Sequence, residues 1–137
     1  MTCTNRDIFT SALALIGESA DGSVSDYEER APYLLGSFCT QARAIDKQIR
    51  RAQKLGTQPS FSSVYLDLDA SFPLCDELTT AAAVYVAAML VIDEDSSLSD
   101  SLYEKYCDAM ATLATLNQSP FGEPAVCEPI AEHYFYC

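Results

Sequence analysis

Positive charge is scarce in this sequence, and most of it lies in the first part of the chain. Among 137 residues there are 8 lysines and arginines and 20 aspartates and glutamates, which gives a net charge of −12. Residues 1–54 hold seven basic and seven acidic side chains, whereas residues 55–137 hold thirteen acidic side chains and one basic side chain. With few basic groups and no aromatic residue interleaved among them, sequence-specific binding of nucleic acid is not expected.

The sequence also lacks the usual signatures of catalysis and metal binding. Its single histidine, His133, lies in a proline-punctuated tail, where we expect no rigid catalytic base. Six cysteines are widely spread without a Cys-x-x-Cys, so we expect reduced, structural thiols. Zinc would require Cys127, His133 and Cys137, at spacings that fit no familiar zinc pattern. Because a glycine-rich phosphate loop is missing as well, we expect a protein that is not an enzyme and needs no cofactor.

No hydrophobic run is long enough to cross a membrane. The uncharged run from Leu78 to Ile92 has 15 residues, and as a helix it would reach about 22 Å at about 1.5 Å per residue, short of the roughly 30 Å hydrocarbon core. It is apolar on nearly every helical face, which predicts a central, buried helix. The chain starts with an amphipathic segment and not with a signal peptide, so we expect it to be made in the cytosol.

Hydrophobic periodicity predicts an all-α fold, a compact bundle of about four helices over residues 1–117 with an extended tail over 118–137. The first helix is predicted at about 5–17, with a capping box formed by Thr4 and Asp7 and an end at Gly17. The second and longest helix is predicted to begin at a cap on Ser25 or Asp26. Two further residues bear on this helix: Pro32 is expected to kink it or mark its true start, and Gly56 to terminate it.

An acidic triplet, Asp93-Glu94-Asp95, follows the buried run. Such charges are unfavourable at the end of a helix, and the conflict disappears if a capped helix begins at once, so we predict a tight helical hairpin. The fourth helix is expected at about 98–117. Its inward stripe is predicted to be Leu98, Leu102, Tyr106, Met110, Leu113 and Leu116. Alternating apolar residues at 64–68 permit a short extended segment without an obvious sheet partner.

The hairpin imitates a calcium-binding loop. Acidic residues and serines occupy the six ligand positions of an EF-hand, namely Asp93, Asp95, Ser97, Ser99, Ser101 and Glu104. Leu98 stands where the loop requires glycine, and the fourth helix needs Leu98 and Leu102 on its apolar stripe. We therefore do not expect calcium binding.

Two charged segments predict an interface between copies of the chain. A surface of one charge on one subunit can bind a surface of opposite charge on the next. The basic cluster consists of Arg43, Lys47, Arg50, Arg51 and Lys54. The acidic hairpin consists of Asp93, Glu94, Asp95 and Asp100. Reversing Arg50 and Arg51 to glutamate is expected to abolish assembly and leave the monomer folded.

Several segments together resemble the head-to-tail connector, or adaptor, proteins of tailed bacteriophages and prophages. The first is Asn5-Arg6-Asp7-Ile8-Phe9 with Ala12-Leu13, and the second is the run Asp26-Tyr27-Glu28-Glu29-Arg30-Ala31-Pro32-Tyr33-Leu34-Leu35. The third is Phe72-Pro73-Leu74, followed by the buried run and Asp93-Glu94-Asp95. The likeness covers residues 4 to about 117.

The resemblance implies a structural protein of the virion neck. Twelve copies would form a ring below the portal protein, extend the DNA channel without sequence-specific binding and offer a platform to the next neck or tail protein. A docking role against the portal or a neighbour is a hypothesis for the tail aromatics, Phe121, Tyr134, Phe135 and Tyr136. Alternatives are a head-closure or tail-completion protein and, in a different class, a cytosolic helical binding or regulatory module.

Overall fold

The computed structural model describes residues 3–19, 22 and 24–117. Four α-helices occur in them, and a short 3-10 turn at Asp76–Leu78 leads into the third. Their bounds are α1 (Asn5–Leu15), α2 (Ser25–Gln53), α3 (Thr79–Leu90) and α4 (Ser96–Leu116). No strand is present in the described part of the chain, apart from an isolated antiparallel bridge between Thr4 and Ser71. The predicted all-α fold, with a long second helix, is confirmed.

Helix α3 lies at the centre of the bundle, in contact with α1, α2 and α4. Eight of its 12 residues are buried, as the uncharged run predicts. Small alanines allow the neighbouring helices to approach closely, and the buried positions are Ala81, Ala82, Ala83, Tyr85, Val86, Ala87, Ala88 and Leu90. Among the described residues, none of the helices is both long and apolar enough to cross a membrane.

Both ends of α1 follow the prediction. The Thr4 hydroxyl accepts a hydrogen bond from the Asp7 N–H, and the Asp7 carboxylate accepts one from the Thr4 N–H, which is a capping box. At the other end Gly17 has φ +79°, and the Glu18 N–H donates to the Leu13 carbonyl. This is the Schellman arrangement, which favours glycine because of its positive φ.

The ends of α2 differ from the prediction. Val24 occupies the N-cap without a side-chain hydrogen bond, so neither Ser25 nor Asp26 is the cap. Pro32 is buried within the helix and does not mark its start. At the carboxyl end Lys54 takes the left-handed conformation with φ 57°, so the helix terminates before Gly56.

The chain between α2 and α3 folds back as an irregular strap over residues 56–75. Leu66 and Leu68 are buried, and the Leu66 N–H donates to the Pro32 carbonyl on α2. The strap crosses α2 at Gly36, where an added Cβ would lie 2.6 Å from the backbone of Val64. Glycine is therefore required at this crossing.

The hairpin between α3 and α4 is tight, as predicted, and the Asp95 carboxylate caps α4 by accepting from the Leu98 N–H. The predicted stripe of α4 is correct at Leu102, Tyr106 and Met110, which are buried, and Leu98 and Leu113 are half-buried. Leu116 is wrong. It is 74% exposed, because the inward face continues from Met110 to Ala114 in steps of four residues.

Candidate functional site

Four members of the basic cluster line an open cleft of about 660 Å³ at the carboxyl-terminal end of α2, namely Arg43, Lys47, Arg50 and Arg51. The loop 55–61 forms the facing wall, where Phe61 packs against the Arg43 guanidinium at 4.7 Å from carbon to ring centroid. Lys47 and Arg51 are exposed and line the same cleft. Arg43, Lys47 and Arg51 follow one another at four-residue steps, so they form a row along one helical face.

Arg50 does not belong to this row, because its side chain is directed inward and only 18% exposed. Its Nε donates to the Asp46 carboxylate at 2.7 Å, and its terminal nitrogens reach the Gly56 and Pro73 carbonyls at 3.2 Å. These contacts tie both ends of the strap to α2. The structure therefore gives Arg50 an internal role, while Lys54 remains exposed at the end of the helix.

Asp46 is completely buried and was not singled out in the sequence. Besides Arg50, its carboxylate accepts hydrogen bonds from Gln58 Nε2 and from the Cys75 N–H, each at 2.7 Å. Burial alone would raise the pKa of Asp46, but the hydrogen bonds from Gln58, Cys75 and Arg50 outweigh it and hold the pKa below its usual value. The carboxylate is therefore ionised and stabilises the junction of α2 with the strap.

Two members of the acidic hairpin are engaged within the chain. Glu94 accepts a hydrogen bond from the Tyr27 hydroxyl, and this bond raises the pKa of Tyr27 to about 12. Asp95 caps α4. Asp93 and Asp100 are exposed. The hairpin therefore offers a neighbour fewer independent charges than its sequence suggests.

The positions that imitate a calcium loop are divided between the hairpin turn and α4. Helix α4 begins at Ser96, so the later positions of the imitated loop are already helical. The Ser99 hydroxyl donates to the Ala88 carbonyl and is buried against α3. The described residues contain no group of three or more potential ligands close enough to hold a metal ion.

A second open cleft, of about 740 Å³, lies between α3 and α4. Its apolar side includes half-buried Met89 and Tyr103, and Ile92, which is 49% exposed. Three acidic residues of α4 line its rim at four-residue steps, namely Asp100, Glu104 and Asp108. We call this cleft with its carboxylates the acidic groove.

A polar and aromatic network joins α2, α3 and α4 beneath these surfaces. The Gln41 side chain donates to the Tyr85 hydroxyl at 3.1 Å and accepts from the Tyr106 hydroxyl at 2.8 Å. Phe38 packs beside both tyrosine rings, with centroids about 6 Å apart. Because the network satisfies the tyrosine hydroxyls inside the bundle, it fixes how the three helices pack.

The basic cluster and the acidic hairpin lie toward opposite ends of α2. Tyr27 holds the hairpin near the start of the helix, and the Arg30 guanidinium donates to the Leu90 carbonyl at 3.1 Å. Arg43 comes 16 residues after Tyr27, roughly 24 Å along the axis at about 1.5 Å per residue. The structure therefore does not bring these two predicted surfaces together within one chain.

The proposed docking residues of the tail, Phe121, Tyr134, Phe135 and Tyr136, lie outside the described residues. The same holds for the zinc candidates Cys127, His133 and Cys137.

Comparisons of this chain with protein-family models, curated proteins and solved structures find no match. The resemblance to phage connectors therefore rests on the order and spacing of residues in the chain itself.

Proposed function

We propose that this chain is a non-enzymatic structural protein of a phage neck. Copies of it would form a ring, twelve-fold by the resemblance, between the portal and the tail of the virion. The ring would extend the DNA channel and provide a platform for the next neck or tail protein. The four-helix architecture is consistent with the connector resemblance, and the clefts on its surface are suited to contacts between proteins.

The observation that carries this proposal is the separation of charge on the bundle. The basic cleft lies at the carboxyl-terminal end of α2, whereas the acidic hairpin is held near its start. Surfaces of opposite charge on different parts of a subunit favour a heterologous contact, in which each copy binds the next by a different surface. Such contacts close into a ring when the rotation between copies permits it.

The structure reduces the set of residues in the contact that the sequence predicts between copies of the chain. On the basic side, Arg43, Lys47, Arg51 and Lys54 remain as contact residues, since Arg50 is held by Asp46. On the acidic side, Asp93 and Asp100 remain, with Glu94 held by Tyr27 and Asp95 at the helix cap.

DNA would pass through the ring without sequence-specific binding. The chain has a net charge of −12, and repulsion between carboxylates and phosphates discourages adhesion to the channel wall. This role needs no base contacts and no catalytic group.

The proposal is tested by electron microscopy of the purified chain, alone and with the portal protein it accompanies. We expect a ring of copies coaxial with the portal. A truncated chain ending at residue 119 tests the docking role of the tail aromatics, and we expect it to attach poorly. Full attachment of the truncated chain would refute the tail hypothesis alone, whereas failure of the complete chain to bind the portal or itself would refute the connector role.

A further inference from the structure

The acidic groove has a composition that the stability of α4 does not explain. Asp100, Glu104 and Asp108 follow one another at four-residue steps, and like charges at this spacing destabilise a helix. The helix dipole favours acidic groups only within the first turn, and the first turn of α4, which starts at Ser96, contains no acidic residue. Asp100, Glu104 and Asp108 all lie beyond that turn.

The groove also leaves its charges uncompensated. No ion pair involves these three carboxylates among the described residues, and no lysine or arginine lines the cleft. Beside the carboxylates the groove exposes an apolar surface at Met89, Ile92 and Tyr103. An apolar surface bordered by charges of one sign suits a partner that is basic and partly aromatic.

The basic cleft of the same chain has these properties. Arg43, Lys47 and Arg51 repeat the four-residue step of the acidic row, and Phe61 packs against Arg43. Three charges at this step span about 12 Å along either helix. The two rows therefore match in number, spacing and opposite sign.

The two clefts lie on separate surfaces. The basic cleft is lined by α2 and the loop 55–61, and the acidic groove is lined by α3, α4 and Ile92 between them. They have no lining residue in common. A contact between them would therefore join two copies in a heterologous manner.

We propose that the basic row of one copy binds the acidic groove of a second copy, with Arg43, Lys47 and Arg51 facing Asp100, Glu104 and Asp108. This inference rests on the proposed assembly and specifies its surfaces: the acidic partner is the α4 row, which shares only Asp100 with the hairpin. The apolar surface near Tyr103 lies beside the paired charges. Because the pairs lie at the protein surface, the contact weakens as salt increases.

The test uses the full chain and charge reversal of whole rows. One variant carries Arg43→Glu, Lys47→Glu and Arg51→Glu, and the other carries Asp100→Lys, Glu104→Lys and Asp108→Lys. Sedimentation velocity at low salt is expected to show self-association at least about tenfold weaker for either variant than for the wild type. Circular dichroism and the urea midpoint establish that each variant is folded.

Restoration of binding is the decisive readout. An equimolar mixture of the two variants is expected to associate, because each variant supplies the row that the other has reversed. One chain carrying all six reversals is likewise expected to associate with itself. The control, with Glu18→Lys, Glu29→Lys and Glu77→Lys at exposed sites elsewhere, is expected to assemble like the wild type.

The outcomes separate this inference from the proposed function. If both row variants assemble as strongly as the wild type, the proposed contact is overturned and the connector role still stands. Loss of assembly in both variants without recovery in the mixture or the six-residue variant would also overturn the contact. A wild type that stays monomeric alone and with the portal would overturn both.

Discussion

The guanidinium of Arg50 closes over the buried carboxylate of Asp46, with 2.7 Å between Nε and the carboxylate oxygen. The two residues are one helical turn apart on α2, and their other hydrogen bonds hold Gln58, Pro73 and Cys75. This pair therefore organises the strap that connects α2 to the central helix. Because Arg50 is directed inward, it does not form part of the exposed row of basic residues on α2.

Removing either member of the pair is expected to destabilise the fold, which corrects the sequence-based expectation that reversing Arg50 leaves the monomer unaffected. Asp46→Ala leaves buried donors unpaired, and Arg50→Glu places two carboxylates together, so we expect a loss of about 3–5 kcal/mol in unfolding free energy. Urea denaturation at pH 7 measures it. Lys47→Glu, on the exposed face of the same helix, is the control and should change stability by less than about 0.5 kcal/mol. Equal stability of all three variants would contradict the assigned role of the pair.

The pair also predicts a pH dependence. Because the folded-state pKa of Asp46 lies below its ordinary value of about 4, the carboxylate stabilises the fold above that value. This contribution is lost as pH falls through the lowered folded pKa. The stability difference between wild type and Asp46→Asn, measured by urea at successive pH values, is expected to be largest near neutrality and to shrink in acid. A difference independent of pH would show that ionisation of Asp46 is unimportant.

Gly36 is expected to resist replacement despite its helical position. Replacing glycine with alanine within a helix usually raises stability, by about 1 kcal/mol at most. Here the new Cβ would lie 2.6 Å from the Val64 backbone, so Gly36→Ala should instead remove about 1–3 kcal/mol. Thermal unfolding compares it with Gly56→Ala, where the added Cβ meets nothing within 4 Å. Stabilisation by Gly36→Ala would mean that the strap does not cross here.

The Gln41 network predicts a specific effect of removing one hydroxyl. Tyr106→Phe removes the donor to the Gln41 carbonyl oxygen within the bundle, and we expect a loss of about 1–3 kcal/mol. Tyr65→Phe is the matched control, since Tyr65 is 47% exposed on the strap. Chemical denaturation of both variants measures the difference. Similar stabilities would show that the buried hydroxyl is dispensable.

Thiol accessibility checks the packing of the described cysteines. Burial raises the pKa of Cys39 and of Cys75 to about 12, and their thiols should therefore react slowly with maleimide in the native protein. Cys3 and Cys107 are only partly buried and should be modified first. Mass spectrometry of digested samples locates the labels, with urea-unfolded protein as the control. Early labelling of Cys39 would contradict its place in the core.

Local patterns were sufficient where a helix and its ends depend on neighbouring residues. The buried run predicts α3, and the Thr4 capping box and Gly17 define α1. The sequence did not identify Lys54 as the residue that ends α2, because glycine is the usual residue at a positive φ. Leu116 was assigned to the inward face because it continues the spacing of apolar residues from Leu113, although the observed buried face of α4 leads to Ala114.

The candidate surfaces depend on contacts that are distant in sequence. Gln58 and Cys75, which donate hydrogen bonds to Asp46, come from the strap. The inward direction of the Arg50 side chain therefore could not be predicted from neighbouring residues in the sequence. One signal was available: Asp46 lies beside Ile45 on the apolar stripe of α2, with a cation four residues later. The acidic groove likewise requires α3 and α4 to be placed side by side.

The central claim is that this chain assembles with itself through unlike surfaces, and native mass spectrometry of the full chain tests it most directly. Twelve copies of a 15.0 kDa chain amount to about 180 kDa. We predict a closed oligomer, of about that mass if the ring is twelve-fold, at low salt or when the portal is added. A 15.0 kDa monomer under both conditions would contradict the account.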